Sequence, residues 1–439
     1  MIAPRNRLVL LVAVLGSGAG LVAALLPASG TALLATILLL AVAIAWDARQ
    51  ASLAARGLRV TASPLVRAVR DRETEIALHI SNIGIALVRN IRVAAESLEV
   101  FRMAEPWLEC GPALPPGQGI QVTARFRCLR RGEYKITRCW FESISRMGLW
   151  TVRTAASCDV TVRVYPDIAR DKTAAEFLQR GRAGARVMQV TGKGREFSQL
   201  REYLSGDPYE DVDWKSTARR GTPVVRGWRV ERDQEVYVVV DASRLSARPA
   251  GSETILERYV HSALVMAIAA QAQGDRFGLI TFSDRVHRFV RARSGKQHFN
   301  YCRDAIYRLQ PRAVEPDFGE LFSFLETRLT RRALVIILTS LDDPLTGETF
   351  ARHVGIASRR HLVLAGMPQP NGARPLFSAA AGDAHEMYSA LAGHVRWRQL
   401  AELSNSCRRQ GVRLHLLDPA QVSGQLAGIY LDVKRRQRL

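Results

Sequence analysis

Several chemistries have little support in this sequence because their residues are missing. The six cysteines, Cys110, Cys128, Cys139, Cys158, Cys302 and Cys407, contain no Cys-x-x-Cys pair and no Cys/His cluster. That argues against structural zinc, which needs close sets of thiolates and imidazoles. The nine histidines show no HExxH spacing, which leaves them surface and packing roles. Ser205-Gly206 and Ser294-Gly295-Lys296 lack the spaced glycines of a phosphate-cradling loop, and no Gly-x-Ser-x-Gly elbow offers a nucleophile. Aromatic residues are sparse at 7%; Trp140, Trp150, Trp214 and Trp228 read as core or interface residues. Acid is scarce too, with 41 Asp and Glu against 62 Lys and Arg, a net charge of +21. The excess is mostly Arg and spread along the chain, which calls for an anionic partner such as lipid headgroups.

Long apolar runs, by contrast, are present at the start. Leu8–Leu26 is unbroken, and Thr31–Trp46 follows after Pro27-Ala28-Ser29-Gly30. With Ala28 and Ser29 extending the second run, residues 8–26 and 29–46 approach the ~20 residues of a membrane span. Arg5 and Arg7 precede the pair, Arg49 and Arg56 follow it, and the turn between carries no charge. The positive-inside rule then predicts a helical hairpin over residues 1–49 with both ends in the cytoplasm. A signal peptide is the competing reading, but the first run is long for one and a second apolar run follows at once, with no convincing small-x-small cleavage site. A cytoplasmic location favours reduced, buried thiols over disulfides among Cys110–Cys158. Gln50–Arg56 reads as a short basic connector.

Residues 57–166 change to short alternating runs rich in Val, Ile and Thr, separated by turns such as Ser81-Asn82-Ile83-Gly84 and Arg131-Gly132. About seven strands at this spacing predict a β-sandwich of immunoglobulin or fibronectin type. Residues 167–222 form a charged collar, with a short helix predicted over Glu196–Leu204 and further helical turns over Asp211–Arg220. From residue 223 to 432, apolar strands such as Val236–Val240 and Ala333–Ser340 alternate with helical segments, which predicts a mostly parallel α/β (Rossmann-type) sheet. Residues 433–439 read as a solvated basic tail.

The densest pattern lies in the collar, Gly192–Arg220, GKGREFSQLREYLSGDPYEDVDWKSTARR. Charges of both signs are interleaved with Phe197, Leu200, Tyr203 and Trp214, which an unstructured linker would not need. Arg201 and Arg219 are expected to pair with Glu196, Asp207 or Asp213, and Trp214 to pack on the α/β core. Further on, Asp241-Ala242-Ser243 ends a buried strand, where open α/β sheets place their sites.

Two apolar segments, a sandwich, this signature and a strand ending in Asp-x-Ser together resemble the bacterial family called domain of unknown function fifty-eight. Gly192, Gly194, Glu196, Phe197, Leu200, Arg201, Tyr203, Gly206, Asp207, Asp213, Trp214, Lys215 and Arg219 match its signature, in which Arg195 is embedded. Arg131-Gly132-Glu133-Tyr134 and Gly148-Leu149-Trp150 resemble its sandwich motifs, with Ser145-Arg146 where many members have Asp-Pro. The resemblance implies a von Willebrand factor A-like domain and partnership with a MoxR-type AAA+ ATPase in assembly or chaperone-like work. It implies no enzyme activity. In von Willebrand factor A domains Asp-x-Ser-x-Ser helps hold magnesium, but the last serine here is Leu245. The counterparts of the other ligands, Asp317 and Asp342 or Asp343, are in imperfect register. The expectation is therefore no metal and no cofactor. Asp241, Ser243, Asp317 and Asp342 instead mark the face for a protein partner.

Two other readings stay open: a rearranged metal site using Asp342 or Asp343, and a nuclease suggested by Pro166-Asp167 with Asp213-Trp214-Lys215. The nuclease pattern needs its acid and Asp-x-Lys on adjacent strands around a metal, which a helix-forming stretch does not offer. No specific nucleic acid is expected as a partner. The chain is thus expected to be a multi-pass protein of the inner membrane with its soluble domains in the cytoplasm.

Overall fold

The computed structural model describes residues 1–25, 30–96, 98–169, 171–182, 196–229, 234–251, 253–376, 378 and 383–436. It divides into two compact units, Met1–Asp167 and Ile168–Leu439.

The first unit opens with a short strand β1 (Ile2–Pro4), followed by helices α1 (Asn6–Leu25) and α2 (Gly30–Arg56). Ten strands follow: β2 (Leu58–Ala62), β3 (Leu65–Val69), β4 (Glu73–Asn82), β5 (Val88–Ala95), β6 (Phe101–Met103), β7 (Leu108–Glu109), β8 (Ala113–Leu114), β9 (Gly119–Cys128), β10 (Gly132–Ile144) and β11 (Trp150–Tyr165). They form two sheets, one ordered β1-β11-β10-β5-β7 with β3 on β11 and β8 on β5, the other ordered β2-β4-β9-β6. The period-two pattern is plain in β4, where Ile76, Leu78 and Ile80 point inward between exposed neighbours. They meet Val93, Phe141, Val160 and Val162 of the other sheet in one core. The predicted sandwich is therefore present as two sheets on a shared core. The last strand, β11, is unusually long at 16 residues. All six cysteines are buried and free, and no disulfide is present among the described residues. Burial pushes the Cys110 thiol up to about 11 and Cys128 up to about 12.

The apolar start differs from expectation in two ways. The basic connector Gln50–Arg56 is the last part of α2, because Ala54 and Ala55, 9% and 1% exposed, pack against the sandwich and favour helix. Among the described residues one helix, Thr31–Arg56, is long and apolar enough to cross a membrane, while the apolar stretch Asn6–Ala19 of α1 is shorter. Only 6% of the apolar window of α2 is buried. Leu34, Leu38, Leu39 and Val42 stand exposed, as a core helix of a soluble domain would not leave them.

The second unit begins with α3 (Lys172–Arg182), β12 (Glu196–Glu202), α4 (Trp214–Arg220) and β13 (Val224–Arg229). β12 and β13 form their own antiparallel two-stranded sheet. Thus Glu196–Glu202, within the short helix predicted over Glu196–Leu204, is a strand: the pairing with β13, anchored by the buried Val224 and Val225, overrides a spacing that also fits a helix turn. The helical expectation for Asp211–Arg220 holds over α4. The charged run Val230-Glu231-Arg232-Asp233 lies outside the described residues.

Next come β14 (Glu235–Asp241), the two-residue strands β15 (Pro249–Ala250) and β16 (Glu253–Thr254), and α5 (Ile255–Ala272). They are followed by β17 (Arg276–Phe282), β18 (Val286–Arg293), α6 (Lys296–Ile306), α7 (Phe318–Arg328), β19 (Ala333–Leu338) and α8 (Pro344–Ser358). The unit ends with β20 (Leu362–Pro368), α9 (Ala384–Arg409), β21 (Arg413–Leu417) and α10 (Val422–Arg435). The main sheet has six strands in the order β18-β17-β14-β19-β20-β21. All its pairs are parallel except the edge pair β17–β18. β14 shows why: Val236, Val238 and Val240 enter the core with α5 and α10, whereas Tyr237 and Val239 enter the core with α7 and α8. A strand buried on both faces reads as a continuous apolar run. The basic end is less free than expected, because α10 runs to Arg435 and Lys434 bonds the buried Asp275 at 2.8 Å.

Candidate functional site

β14 is where the strand order of the main sheet reverses, since β17 lies on one side and β19 on the other. The carboxyl ends of strands at such a point form a crevice by topology alone. Asp241 closes β14 there and is 1% exposed. Its Oδ1 accepts from the Ser243 backbone N–H at 2.7 Å, and its Oδ2 accepts from the Thr339 hydroxyl at 2.6 Å. Burial pushes the Asp241 carboxyl above its ordinary range, against the pull of those two bonds. Ser243 Oγ is buried without a hydrogen-bond partner, while Ser246 donates to the Ser243 carbonyl at 2.7 Å. Ser243 precedes the short 3-10 turn Arg244–Ala247 but makes no side-chain cap to it. The Tyr259 hydroxyl, from α5, sits 3.2 Å from Ser340 Oγ just beyond β19.

The remaining acids of the expected face are already engaged. Asp342 takes both Arg248 Nη groups, each at 2.6 Å. Asp343 caps α8 through Thr346 N at 3.1 Å and Thr346 Oγ1 at 2.6 Å. Asp317 caps α7 through Glu320 N at 3.0 Å. No group of three or more His, Cys, Asp or Glu side chains able to hold a metal occurs among the described residues.

Sequence reasoning missed Thr339, Arg248 and Tyr259. The Thr after β19 was visible in ALVIILTS, but its bond to an acid 98 residues earlier was not. It also missed Ser283, Asp284 and His287 after β17. Ser283 Oγ lies 2.6 Å from His287 Nε2 and 2.7 Å from Asp284 Oδ1. Burial and the Arg312 charge push His287 below its usual value. One hydroxyl facing both groups fixes the turn into β18.

Ion pairs tie the collar. Arg201 grips Asp207 at 2.7 and 2.6 Å, and Asp207 also accepts from Leu204 N at 2.9 Å. Gly206, at φ 111°, makes the turn that allows it, a conformation L side chains rarely adopt. Asp213 caps α4 through Ser216 N at 3.0 Å and pairs with Arg226 at 2.9 Å. Arg219 was an expected partner but has no ion pair among the described residues, and Lys215 is exposed. Trp214 does not pack on the core. It is 62% exposed and stands 6.0 Å from Tyr209, itself 71% exposed and 6.4 Å from Tyr203. Leu200 is half-buried in β12. Gly192, Gly194 and Arg195 lie outside the described residues; Glu196 and Phe197 are placed by backbone pairing to Arg229 and Trp228 alone.

Residues 199–367 match a family described as Protein of unknown function DUF58. The match takes in residues 199–222 of the collar, the Asp241 strand end and Thr339. Two mycobacterial proteins are similar over 180 residues at 28% identity: "Uncharacterized protein Rv1480" of Mycobacterium tuberculosis and "Uncharacterized protein Mb1516" of Mycobacterium bovis. The similarity covers 40% of this chain and spans 55% of each relative's length. Among solved structures, the secreted serine protease VesC from Vibrio cholerae aligns at 15% identity and a TM-score of 0.17, over 28% of this chain and 26% of that one. The CARDB domain of PF1109 from Pyrococcus furiosus aligns at 16% identity and a TM-score of 0.16, over 24% of this chain and 94% of that one.

Proposed function

We propose that this chain is a membrane-anchored interaction protein, not an enzyme, whose second unit is a von Willebrand factor A-like docking domain. The observation that carries the reading is the strand end at Asp241, where every acid expected to bind a ligand is spent on an internal bond. With its acids engaged and the Ser243 hydroxyl alone of the expected face left unpartnered, the strand end holds a surface in shape rather than waiting for chemistry. Magnesium would need hard oxygen ligands in near-octahedral array. Here Leu245 replaces an oxygen ligand, Asp342 is clamped by Arg248, and burial favours the protonated form of Asp241. The residues present do not suit that ion. The rearranged site imagined with Asp342 or Asp343 meets the same objection, because one is ion-paired and the other caps α8.

The exposed collar aromatics are a second candidate contact for the partner. Trp, Tyr and Arg dominate binding energy at protein interfaces, and Tyr209 and Trp214 stand exposed beside Lys215 and Arg219. A MoxR-type AAA+ ATPase is the partner proposed. The nuclease reading has no support: Asp167 grips Arg72 at 2.7 and 2.9 Å, and Asp213 opens a helix instead of lying on a strand. Nucleic acid is accordingly not proposed as a partner.

We also read α1 and α2 as a hairpin anchor in the inner membrane. β1 pairs with β11 through Ile2 and Val152, so the chain enters α1 from the sandwich. It leaves α2 at the sandwich too, where Trp150 Nε1 donates to the Ile44 carbonyl at 3.1 Å. Both ends of the hairpin then lie on one side, which the basic flanks make cytoplasmic.

The test is affinity capture of the full chain from detergent-solubilised membranes, with and without magnesium and nucleotide. Recovery of an AAA+ ATPase, reduced by Trp214→Ala, is expected. Capture without any ATPase under all conditions would count decisively against the partnership. Calorimetry with magnesium and manganese should give no heat, and heat abolished by Asp241→Ala would restore the metal reading.

A further inference from the structure

The C-terminal part of α2 and the sandwich enclose a cavity of about 420 Å³. It sits where α2 changes from bare to buried. Trp46 is 54% exposed, and the next residue, Asp47, is 2% exposed. Trp46 and Asp47 line the cavity together with Leu87, Arg89, Ser145 and Arg146. Arg89 and Arg146 are exposed and have no ion pair among the described residues. Asp47 is the buried counterpart: Oδ1 accepts from Met147 N at 3.2 Å, while Oδ2 is buried with no hydrogen-bond partner. An unsatisfied carboxylate oxygen is costly to keep away from water. Next in sequence to the lining residues Ala86 and Arg146, the apolar Ile85 and Met147 are 99% and 54% exposed, and Ile83 is 62% exposed.

We propose that this cavity seats the headgroup of an amine-bearing phospholipid, phosphatidylethanolamine in type. Arg89 and Arg146 take the phosphate and Asp47 takes the ammonium. Guanidinium suits phosphate through charge-assisted bonds, and the Asp47 carboxylate in the cavity wall offers an ammonium an opposite charge. A lone pair of arginines would attract any anionic lipid; the buried acid beside them selects one that also carries a cation. Trp46 stands at the level where indoles gather, between acyl chain and water. Leu87 and the loop through Ile83 and Ile85 would then lie against the upper acyl chains. The inference rests on α2 lying in a bilayer, which the proposed anchor assumes.

The experiment uses the full chain in detergent. Native mass spectrometry reads retained lipid after titration with phosphatidylethanolamine, phosphatidylglycerol or phosphatidylcholine, and with soluble glycerophosphoethanolamine. Phosphatidylethanolamine should be retained over phosphatidylglycerol, and Asp47→Asn should reduce that retention roughly tenfold. Arg89→Ala with Arg146→Ala, both exposed positions, should lower retention of both lipids. Equal retention of the two lipids, unmoved by Asp47→Asn, overturns the proposal. So does soluble glycerophosphoethanolamine binding as tightly as the lipid, which would make this a site for a free phosphoester. Vesicle flotation of the same variants separates the premise: Asp47→Asn should still float with the membrane. Wild-type protein that fails to float would refute the anchor itself.

Discussion

Single side chains hold the second unit together at places the sequence did not advertise. Asp171 accepts from Thr173 N at 2.8 Å and Ala174 N at 3.2 Å at the start of α3, and meets His261 of α5 at 2.8 Å and Ser423 of α10 at 2.6 Å. Burial alone would raise its pKa, but the bonds to His261, Ser423 and Ala174 outweigh it and hold the carboxyl well below the usual range. An acid depressed in the folded state contributes stability that is complete above its unfolded pKa, near ~3.9, and fades as pH falls through the folded value. Asp171→Asn should therefore lower the melting temperature at pH 7 and flatten the loss of stability below about pH 4. An unchanged acid limb in calorimetric melts would remove Asp171 from this role. Thr339 is the second such residue. Thr339→Val keeps the shape but strips the buried Asp241 of a donor, a loss of about 1–3 kcal/mol. For a unit of this size that is roughly 2–4 °C in melting temperature per kcal/mol, and Thr339→Ser should recover most of it.

Elements of this chain were legible wherever one face or both faces were buried uniformly. The Val236–Val240 run, the Ala333–Leu338 run and the alternation of β4 carry their burial in their spelling. β12 was misread because Phe197 and Leu200 stand three apart, a helix spacing, while its pairing partner β13 lies some 25 residues on. The face of Trp214 was misread for a related reason: an aromatic inside a charged run looks like an anchor whether it anchors this chain or another. Asp241 ends β14, and Asp317 and Asp343 cap helices, but which acids were already paired depended on Arg248 and Thr339, far away in sequence. For the collar this yields a prediction about α4. Asp213 caps seven residues and pairs with Arg226, outside the main sheet. Asp213→Ala should raise amide exchange through Trp214–Arg220 and leave the main melt of the unit nearly in place. Equal loss of protection across β14 and β19 would show instead that the collar is part of the main core.

For the whole molecule, the basic excess and the bare helices give a topology that can be measured. Ala28 and Ser29 connect two apolar runs without any charge, while arginines flank both outer ends. If α1 and α2 both cross, that connection alone faces outward, and everything from Arg49 onward faces the side with the arginines. The six native cysteines are buried, so they give little background to a thiol reagent. In intact cells a membrane-impermeant maleimide should label Ser29→Cys. It should label Thr123→Cys, at an exposed position on β9 of the sandwich, only after the membrane is opened. Labelling of both in intact cells would place the sandwich outside and remove the case for a cytoplasmic ATPase partner. Labelling of neither before opening would mean that the connection does not emerge, leaving a chain that lies on the membrane or dips into it without crossing. The charge argues against both outcomes: a unit with so many arginines gains most on the leaflet that carries anionic lipid, at about 1 kcal/mol for each residue near the surface.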